Sequence, residues 1–579
     1  MVRPAAARVS HSSSLRRTAD VVVEEIVRAG CDRVFGVPGG PIGPVFDALY
    51  DRSEIELVVS RHETAAVHTA CGYALASGQV GVSISTCGPG LTNSLTGLVT
   101  ARQESVPLVH LAGDVPRADH GRASVQEVGP YGLDLADGYR HAVKMAIEVT
   151  HPSLARVALR RAFTVAREGR PGPVLVILPL DILTASAEIV DPTIAPRTIE
   201  AAVPDEEWER IARGLASAEK PLVFAGSGVR ISGTGSQVLE LAEALQVPFA
   251  TTAHAKGTLP ETHPLSLGVM GHARSRWAAA YAEEGPDYVL ALGTQLSDLA
   301  TGGYRPLARE GGTVVQVDVE STSFGKTVIP VTATLQADLR TALPRLLRIA
   351  KEIGPRRANP ALERAKAGPR VEQPEDLEST AIPLSPARAL ADIERSLPDG
   401  ATLVADIGEH GVFALHYFEV KRPGHFYKPV ASCTMATGLT LALGMAMGDP
   451  RTPIVCLTGD GCMGMHGLEL ITAVAHRVPI TVAVFNDSSY GMVKFGNQRV
   501  FGRSHPFEVG DVDFARLAEA IGAIGITVTR PGAIDRGMLE LAQKEGRPVI
   551  LDIKIDRETP SPGNNRYKQM AAAGTHRSI

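Results

Sequence analysis

Two aspartates stand directly after two apolar runs, at the spacing of one strand–helix–strand unit. Asp460 follows "PIVCLTG", Asp487 follows "PITVAVFN", and residues 462–485 between the two sites include one helical pattern. Because parallel strands present their carboxyl ends at one edge of a sheet, we expect both carboxylates to enter one crevice. Two hard oxygen ligands beside glycines suit Mg²⁺ that is shared with a diphosphate. The sequence therefore predicts a Mg²⁺–diphosphate site.

A third carboxylate, Glu63, stands just after the strand-like "IELVV" and just before a helical pattern. Ser60 and Glu63 have the S-x-x-E spacing of a capping box, in which the glutamate only stabilises a helix N-terminus. The turn from strand to helix is also where α/β enzymes place catalytic groups. The stretch itself leaves both interpretations open.

The elements that position these residues alternate between short β-branched strands and amphipathic helices along almost the whole chain. This alternation predicts the α/β class, with parallel sheets covered on both faces. Two stretches rich in Pro and charge read as linkers and divide the pattern into three doubly wound parallel-sheet domains. We expect a disordered tail at 1–17, domains at 18–181, 205–352 and 385–557, linkers at 182–204 and 353–384, and a C-terminal tail at 558–579.

Composition narrows the classes of partner. The 579 residues carry a net charge of −5 and no long basic run, which argues against nucleic acid. No apolar stretch reaches the roughly 18 residues of a membrane span. The six cysteines form no C-x-x-C pair, which favours a reducing, cytoplasmic location. The acid-free first 17 residues loosely resemble a transit peptide, but a cytoplasmic tail is the simpler interpretation.

Several stretches together resemble the thiamine-diphosphate (ThDP) enzymes of the acetolactate synthase and pyruvate oxidase group. The G-D-G…N-D pair resembles the ThDP motif of the third domain. The first domain contributes "VFGVPGG", "RHETAAVHTACGYALASG", "TCGPGLTNSLTG", "SVPLVHLAGDVPR" and "SVQE". The resemblance runs from about residue 18 to 556 and implies a pyrimidine-binding, a middle Rossmann-like and a diphosphate-binding domain, in that order.

The resemblance implies a catalytic role for Glu63. In this family the glutamate of the "HE" step protonates the aminopyrimidine ring of the cofactor, and Glu63 matches it. A carboxylate that is hydrogen-bonded to the ring nitrogen favours the tautomer whose amino group removes the thiazolium C2 proton. General acid–base catalysis of this kind contributes about 10²–10⁴-fold. A glutamate that caps a helix is also well positioned, so the two roles are compatible.

The resemblance also carries over cofactor and metal residues. Met435 matches the bulky residue on which the two cofactor rings fold, with a core methionine as the alternative. Glu409 stands where relatives often have Gln, and a carboxylate beside a diphosphate is unfavourable unless it turns away or is protonated. The carbonyl of Ser489 is expected to complete the Mg²⁺ shell of Asp460 and Asp487. The predicted cofactor-binding residues are Gly408, His410, Met435, Gly459, Asp460, Gly461, Cys462, Asn486 and Met492.

The predicted substrate residues are Gly39, Gln126 and Val493. Val125 stands where acetolactate synthases usually carry an aromatic residue before the matching Gln, which leaves the acceptor open. After the N-D step, the loop adds the cations Lys494, Arg499 and Arg503, which would either meet a carboxylate or form a solvated face.

The middle domain departs from the flavin-binding acetolactate synthases. They carry a Gly-Met-His-Gly-like and an Arg-Phe-Asp-Asp stretch, where this chain has "GVMGHARSRW" and "GTQLSDLATGG". The Gly-rich turn at Gly226–Gly228 is of a kind that is mostly structural. The expected cofactors are ThDP and Mg²⁺, and a structural FAD is left open without support from these motifs.

The resemblance implies decarboxylation of a 2-oxo acid, pyruvate by default, and carboligation of the acyl carbanion to a second carbonyl. The alternative is a non-ligating 2-oxo-acid decarboxylase, or a carboligase of specialised metabolism with another acceptor. A paralogue without turnover is disfavoured by the intact Glu63, Asp460 and Asp487. In this family the site lies between the pyrimidine domain of one subunit and the diphosphate domain of another, which implies a homodimer or homotetramer.

Overall fold

Three six-stranded sheets, each entirely parallel, form the framework of the molecule. The computed structural model describes residues 15–189, 203–355 and 359–562. The prediction of an α/β chain with three doubly wound domains is confirmed.

The first domain contains a sheet in the order β3-β2-β4-β5-β7-β6 and a two-stranded antiparallel pair, β1 with β8. Its strands are β1 (Arg16–Arg17), β2 (Arg33–Gly36), β3 (Glu56–Val59), β4 (Gly81–Ser85), β5 (Leu108–Asp114), β6 (Met145–Glu148), β7 (Pro173–Pro179) and β8 (Ser186–Ala187). Its helices are α1 (Thr18–Arg28), α2 (Gly43–Tyr50), α3 (Glu63–Ser77), α4 (Pro89–Glu104), α5 (Leu135–Gly138), α6 (Ala155–Arg167) and α7 (Leu180–Thr184).

The middle domain has the strand order β11-β10-β9-β12-β13-β14, the doubly wound order of many dinucleotide-binding sheets. Its strands are β9 (Pro221–Ala225), β10 (Phe249–Thr252), β11 (Ser266–Met270), β12 (Tyr288–Leu292), β13 (Thr313–Asp318) and β14 (Ala333–Gln336). Its helices are α8 (Asp205–Ser217), α9 (Ser227–Ile231), α10 (Gly235–Leu245), α11 (Arg276–Glu283), α12 (Asp298–Thr301), α13 (Leu339–Ile353) and α14 (Pro360–Ala365).

The third domain has the order β16-β15-β17-β18-β20-β19. Counted along each six-stranded sheet, this is also the strand order of the first domain, so the two domains share one topology. Its strands are β15 (Thr402–Ala405), β16 (Phe426–Tyr427), β17 (Ile454–Gly459), β18 (Ile480–Asn486), β19 (Ile524–Val528) and β20 (Val549–Lys554). Its helices are α15 (Pro386–Ser396), α16 (Glu409–Tyr417), α17 (Thr437–Gly448), α18 (Asp460–His466), α19 (Leu470–Ala475), α20 (Gly491–Phe501), α21 (Phe514–Ala520) and α22 (Arg536–Glu545).

The central strands are mostly apolar because both of their faces are covered. Every residue of β5, β17 and β18 is buried. Such strands do not alternate between apolar and polar residues, in contrast to strands with one solvated face. The residue after each strand leaves the core at the carboxyl edge, where the polar side chains of the predicted site begin.

Some predicted tail and linker residues are ordered in regular elements. Arg16 and Arg17 form β1, because their guanidinium groups pair with acidic residues of α1 and α2. The predicted linker 182–204 contains the end of α7 and β8, and its residues 190–202 lie outside the described part. The predicted linker 353–384 contains α14, whose first turn is capped by the side chain of Asn359. Residues 1–14 and 563–579 of the predicted tails also lie outside the described part.

The chain divides into two compact units. The first contains residues up to 198, except 75–77 and 103–105, which group with the second unit from 199 onward. Among the described residues, no helix is long and apolar enough to cross a bilayer.

Candidate active site

A cavity of about 410 Å³ lies in the second unit, at the carboxyl edge of the third sheet. The residues that follow β15, β17 and β18 line it, at the point where the strand order reverses. Ligands of open α/β sheets bind at such points. Of the predicted residues, the cavity is lined by Gly408, His410, Met435, Gly459, Asp460, Gly461, Cys462, Asp487, Ser489, Met492 and Val493.

The two aspartates meet at one end of this cavity. Burial and the Asp460 carboxylate raise the pKa of Asp487 to about 7. Burial also raises the pKa of Asp460, although backbone N–H groups of Gly461, Asp487 and Ser489 donate to its carboxylate at 2.6, 3.2 and 3.3 Å. Two buried carboxylates at close range form a site for a cation, which removes their repulsion when it binds.

This pair of carboxylates is typical of a Mg²⁺ site that is completed by water and phosphate oxygens, and not of a metal site whose ligands all come from protein side chains. Among the described residues, no group of three or more His, Cys, Asp or Glu side chains is arranged to hold a metal ion. Mg²⁺ characteristically takes one or two carboxylates and completes its shell with water and phosphate oxygens. Ser489 is buried beside the pair, and its hydroxyl donates to the carbonyl of Pro506 at 2.9 Å.

The cavity end near the aspartates also fits a diphosphate. His410 is buried, its Nε2 has no hydrogen-bond partner in the described part of the chain, and burial lowers its pKa to about 3. A Cβ at Gly459 would lie 2.9 Å from His410 Nδ1, so only glycine leaves this ring in place. An unpaired polar atom in a buried site needs a partner, and a phosphate oxygen would supply one.

Part of the cavity wall is apolar and includes Met435. A Cβ at Gly461 would lie 2.6 Å from Tyr490 Cε1 and 3.1 Å from Met435 Cε. Glycine at 461 therefore keeps these two side chains close together at the cavity wall. Met492 and Val493 from the first turn of α20 extend the same wall, which suits a flat, largely apolar ring system.

Asn486 and Cys462 have local structural contacts. The side-chain amide of Asn486 donates to the carbonyl of Val512 at 3.0 Å and to Asp552 at 2.8 Å, and it is not among the residues that line the cavity. The thiol of Cys462 donates to the carbonyl of Ile407 at 3.2 Å. Both residues thereby fix the strand ends that carry the aspartates.

The charged residues beside the cavity are held by the C-terminal segment 557–562. Glu409 accepts the backbone N–H of Ser561 at 3.1 Å, so its carboxylate has a donor. Lys494 donates to the carbonyl of Arg557 and to Glu558 at 3.0 and 2.8 Å, and Arg499 donates to the carbonyl of Ser561. Two of the three cations that were candidates for a substrate carboxylate thus bind this segment.

In the first unit, Glu63 is the first residue of α3. The capping-box interpretation of Ser60 and Glu63 does not hold: the N-cap is His62, whose Nδ1 accepts the N–H of Thr64 at 3.1 Å, and the Ser60 hydroxyl has no hydrogen-bond partner among the described residues. The helix begins two residues later than the S-x-x-E spacing implies, because His62 is extended and caps in place of Ser60. Glu63 is therefore not needed as a cap.

The turn Thr86–Gly90 brings the three predicted residues of the first unit together. A side chain at Gly39 would collide with Thr86, and a Cβ at Gly88 would lie 2.7 Å from Gln126 Cβ. A Cβ at Gly90 would lie 3.5 Å from Glu63 Oε1. Gln126 has a left-handed backbone at φ 67°, which holds it against this turn.

The glycines after β9 in the middle domain pack against the next strand end. A Cβ at Gly228 would lie 2.6 Å from Gly293 Cα. The N–H groups of Gly226 and Gly228 donate to the carbonyls of Leu292 and Gly293 at 2.8 and 2.9 Å. These close backbone contacts explain the glycines without a ligand.

Sequence reasoning missed Lys428, which also lines the cavity. It is buried, its Nζ donates to the carbonyl of Asp406, and burial lowers its pKa. Lys428 follows the two-residue strand β16, a pattern too short to be recognised in the sequence. It also missed Asn93, whose side chain contacts Glu63 from another helix, so that no local spacing indicates it.

Comparison with known proteins identifies the family. Models of the thiamine pyrophosphate enzymes match in succession: the N-terminal TPP binding domain over 16–134, the central domain over 208–346 and the C-terminal TPP binding domain over 406–553. The chain belongs to the thiamine pyrophosphate enzymes, and it is an acetolactate synthase-like enzyme of the carboligase class.

The similar proteins match over nearly their whole lengths. A probable acetolactate synthase large subunit of Methanocaldococcus jannaschii is 32% identical, over 93% of this chain and 92% of that protein. The isozyme 3 large subunit of Escherichia coli is 31% identical, over 93% and 94%. The ThDP-dependent 4-hydroxybenzoylformate decarboxylase of Rhodococcus jostii RHA1 shares the fold, with a TM-score of 0.81 at 22% identity over 93% of this chain and 99% of that one.

Proposed function

We propose that the protein decarboxylates a 2-oxo acid, pyruvate by default, and joins the remaining two-carbon unit to a second carbonyl compound, as the names of its acetolactate synthase relatives indicate. The observation that carries this proposal is the Asp460–Asp487 pair at the edge of a cavity with an apolar wall. ThDP, when bound, supplies the electron sink for decarboxylation. Mg²⁺ would be held by Asp460, Asp487 and the carbonyl of Ser489.

The residues of the chain have separate roles in this proposal. Met435 supports the cofactor rings, and His410 donates or accepts a hydrogen bond at the diphosphate. Glu63 exchanges a proton with the ring nitrogen of the aminopyrimidine. Gly39, Gln126 and Val493 stay proposed as substrate residues. FAD has no proposed role, because backbone contacts already account for the glycine turn of the middle domain.

The test is the fate of pyruvate with purified protein, ThDP and Mg²⁺, measured as CO₂ release and product identity by mass spectrometry. We expect CO₂ and acetolactate from wild type. Glu63→Gln should lower the rate by about 10²-fold or more, because Gln cannot exchange a proton, and ThDP affinity should stay within about threefold. Full activity of Glu63→Gln would contradict the role of this residue.

A second candidate is a decarboxylase or carboligase whose acceptor carries no carboxylate. The observation that favours it is that Lys494 and Arg499 form hydrogen bonds with segment 557–562. These two cations are therefore not available to bind a carboxylate of the acceptor. Val125, beside Gln126, is 83% exposed and leaves this region open. CO₂ with acetaldehyde as the product, or turnover only with an added aldehyde, would select this candidate.

We also propose a homodimer or homotetramer in which each site takes Glu63 from one copy and Asp460 and Asp487 from another. The family resemblance supports this arrangement. We propose a reducing, cytoplasmic environment, which the lack of any C-x-x-C pair among the six cysteines of the sequence supports.

A further inference from the structure

The carboxylate of Glu63 is held by a side chain from the neighbouring helix. The amide of Asn93 on α4 donates from Nδ2 to Glu63 Oε2 at 3.0 Å. In return, the hydroxyl of Thr64 on α3 donates to the backbone carbonyl of Asn93. These two contacts join the first turn of α3 to α4 at the position of the proposed proton-transfer group.

Two glycines on α4 make this contact geometrically possible. A Cβ at Gly97, one turn after Asn93, would lie 2.7 Å from Val67 Cβ on α3. A Cβ at Gly90, about one turn before Asn93, would lie 2.8 Å from Thr86 Cγ2. Because Gly97 lacks a side chain, α4 approaches α3 closely enough for a short amide to reach the glutamate, and Gly90 lets α4 begin close to Thr86.

The chemistry of an amide donor distinguishes the two oxygens of Glu63. An N–H group that points at Oε2 occupies this oxygen as an acceptor. When the carboxyl is neutral, its proton is therefore carried by Oε1, the oxygen that faces Gly90. A carboxylate without this donor would rotate among several orientations, and both oxygens would carry the proton.

We propose that Asn93 is a positioning residue that fixes the Glu63 carboxylate, so that proton exchange takes place at Oε1. The inference rests on the proposed role of Glu63 in ThDP activation. Asn93 itself touches neither the reacting atoms nor the cofactor in this proposal. Its contribution is orientation of a catalytic group, which accounts for large rate effects when the geometry is lost.

The test uses the full-length protein with ThDP and Mg²⁺ and needs no substrate. The rate at which the C2 proton of bound ThDP exchanges for deuterium is measured by quenched-flow NMR. ThDP affinity is measured by calorimetry, and the melting temperature of the apoprotein by scanning calorimetry. We expect Asn93→Ala to slow exchange by about tenfold, and the isosteric Asn93→Asp by about 100-fold, because it replaces the donor by a repelling carboxylate. ThDP affinity should stay within about threefold.

Thr92→Ala is the matched control, because the Thr92 hydroxyl donates to the carbonyl of Pro89 on the same helix and should not alter exchange. Exchange at the wild-type rate in Asn93→Asp and Asn93→Ala would overturn the proposal. So would a loss of exchange that is matched by an equal loss of folded protein in both variants. If Glu63→Gln retains fast exchange, the proposed function of Glu63 is wrong. If exchange is slow in Glu63→Gln but fast in both Asn93 variants, only the inference about Asn93 is wrong.

Discussion

Asp487 is a residue whose charge is unfavourable in the apoprotein and useful when a cation binds. Its pKa is raised to about 7 by burial and by Asp460, so the two carboxylates repel each other without a cation. Asp487→Asn should raise the melting temperature of the apoprotein, because it removes one member of the repelling pair. The same change should weaken Mg²⁺-dependent ThDP binding by about tenfold or more, because it removes a metal ligand.

Scanning calorimetry of the apoprotein and titration calorimetry with ThDP at fixed Mg²⁺ measure these opposite effects. Asp511→Asn is the matched control, since Asp511 is an exposed aspartate on the chain that follows α20. A variant with lower stability and unchanged Mg²⁺-dependent affinity would show that Asp487 is a structural residue.

The location of a single residue in the site was predictable from the sequence where the residue directly follows a strand. Asp460 and Asp487 follow β17 and β18, so one strand–helix–strand reading was enough to place both carboxylates together. Ser60 shows the limit of this approach, because S-x-x-E spacing cannot reveal that the extended His62 becomes the cap. Lys428 and Asn93 were missed because their neighbours in space are remote in sequence.

At the scale of elements, two glycines of helix α18 can be compared. Substitutions at these positions show whether a glycine is needed to shape the cavity or only belongs to the helix. Gly461→Ala should weaken ThDP binding by about tenfold, because the new methyl group displaces Tyr490 and Met435. The stability of the apoprotein should change little, since alanine improves helix propensity by up to about 1 kcal/mol relative to glycine. Gly464→Ala is the control on the same helix, because a Cβ there would meet no atom within 4 Å from the described residues outside the backbone of its own helix. Equal ThDP affinities of the two variants would contradict the assignment.

The strand pair β4–β5 contains a histidine that should make the fold sensitive to acid. His110 is buried between the hydroxyls of Ser83 and Ser85, at 2.8 and 2.9 Å from its two ring nitrogens. Burial lowers its pKa to about 3. Below about pH 6.5 the unfolded chain binds a proton at this histidine and the folded chain does not, so stability is lost as the pH falls.

His110→Gln should remove this contribution while a side chain able to bond both serines remains. Between about pH 6 and 4, the free energy of unfolding of wild type should fall more steeply than that of the variant, by about 1.4 kcal/mol per pH unit. Denaturant titrations at several pH values measure the difference. His141→Gln, at an exposed position of the same domain, is the control and should keep the wild-type slope. Parallel slopes for wild type and His110→Gln would refute the prediction.

The whole architecture followed from the sequence because its strands are apolar runs separated by helical periodicity. The order of strands within each sheet did not, since parallel pairing depends on crossovers between distant segments. The predicted start of the first domain, at residue 18, was also too late. Arg16 and Arg17 read as a charged tail, but ion pairs to α1 and α2 hold them in β1.

At the scale of the molecule, the proposed shared site predicts complementation between a variant defective in proton exchange and a variant defective in ThDP binding. Glu63 belongs to the first compact unit and Asp487 to the second. If each site takes these residues from different copies, a mixed dimer of Glu63→Gln and Asp487→Asn chains has one site with both defects and one intact site. At a ThDP concentration too low to fill the Asp487→Asn sites, co-expressed equal amounts should regain about a quarter of the wild-type exchange, because half of the dimers are mixed and each of these has one intact site.

The measurement is the C2 exchange rate of bound ThDP in co-expressed material, with sedimentation to establish the assembly. Pairing Glu63→Gln with Asn93→Asp is the control: both changes lie in the first unit, so no mixed dimer contains an intact site. Recovery in the first pairing and not in the second would follow only from a site built by two copies. No recovery in either pairing, with both variants assembled, would place Glu63 and Asp487 of each site in a single chain and contradict the proposed assembly.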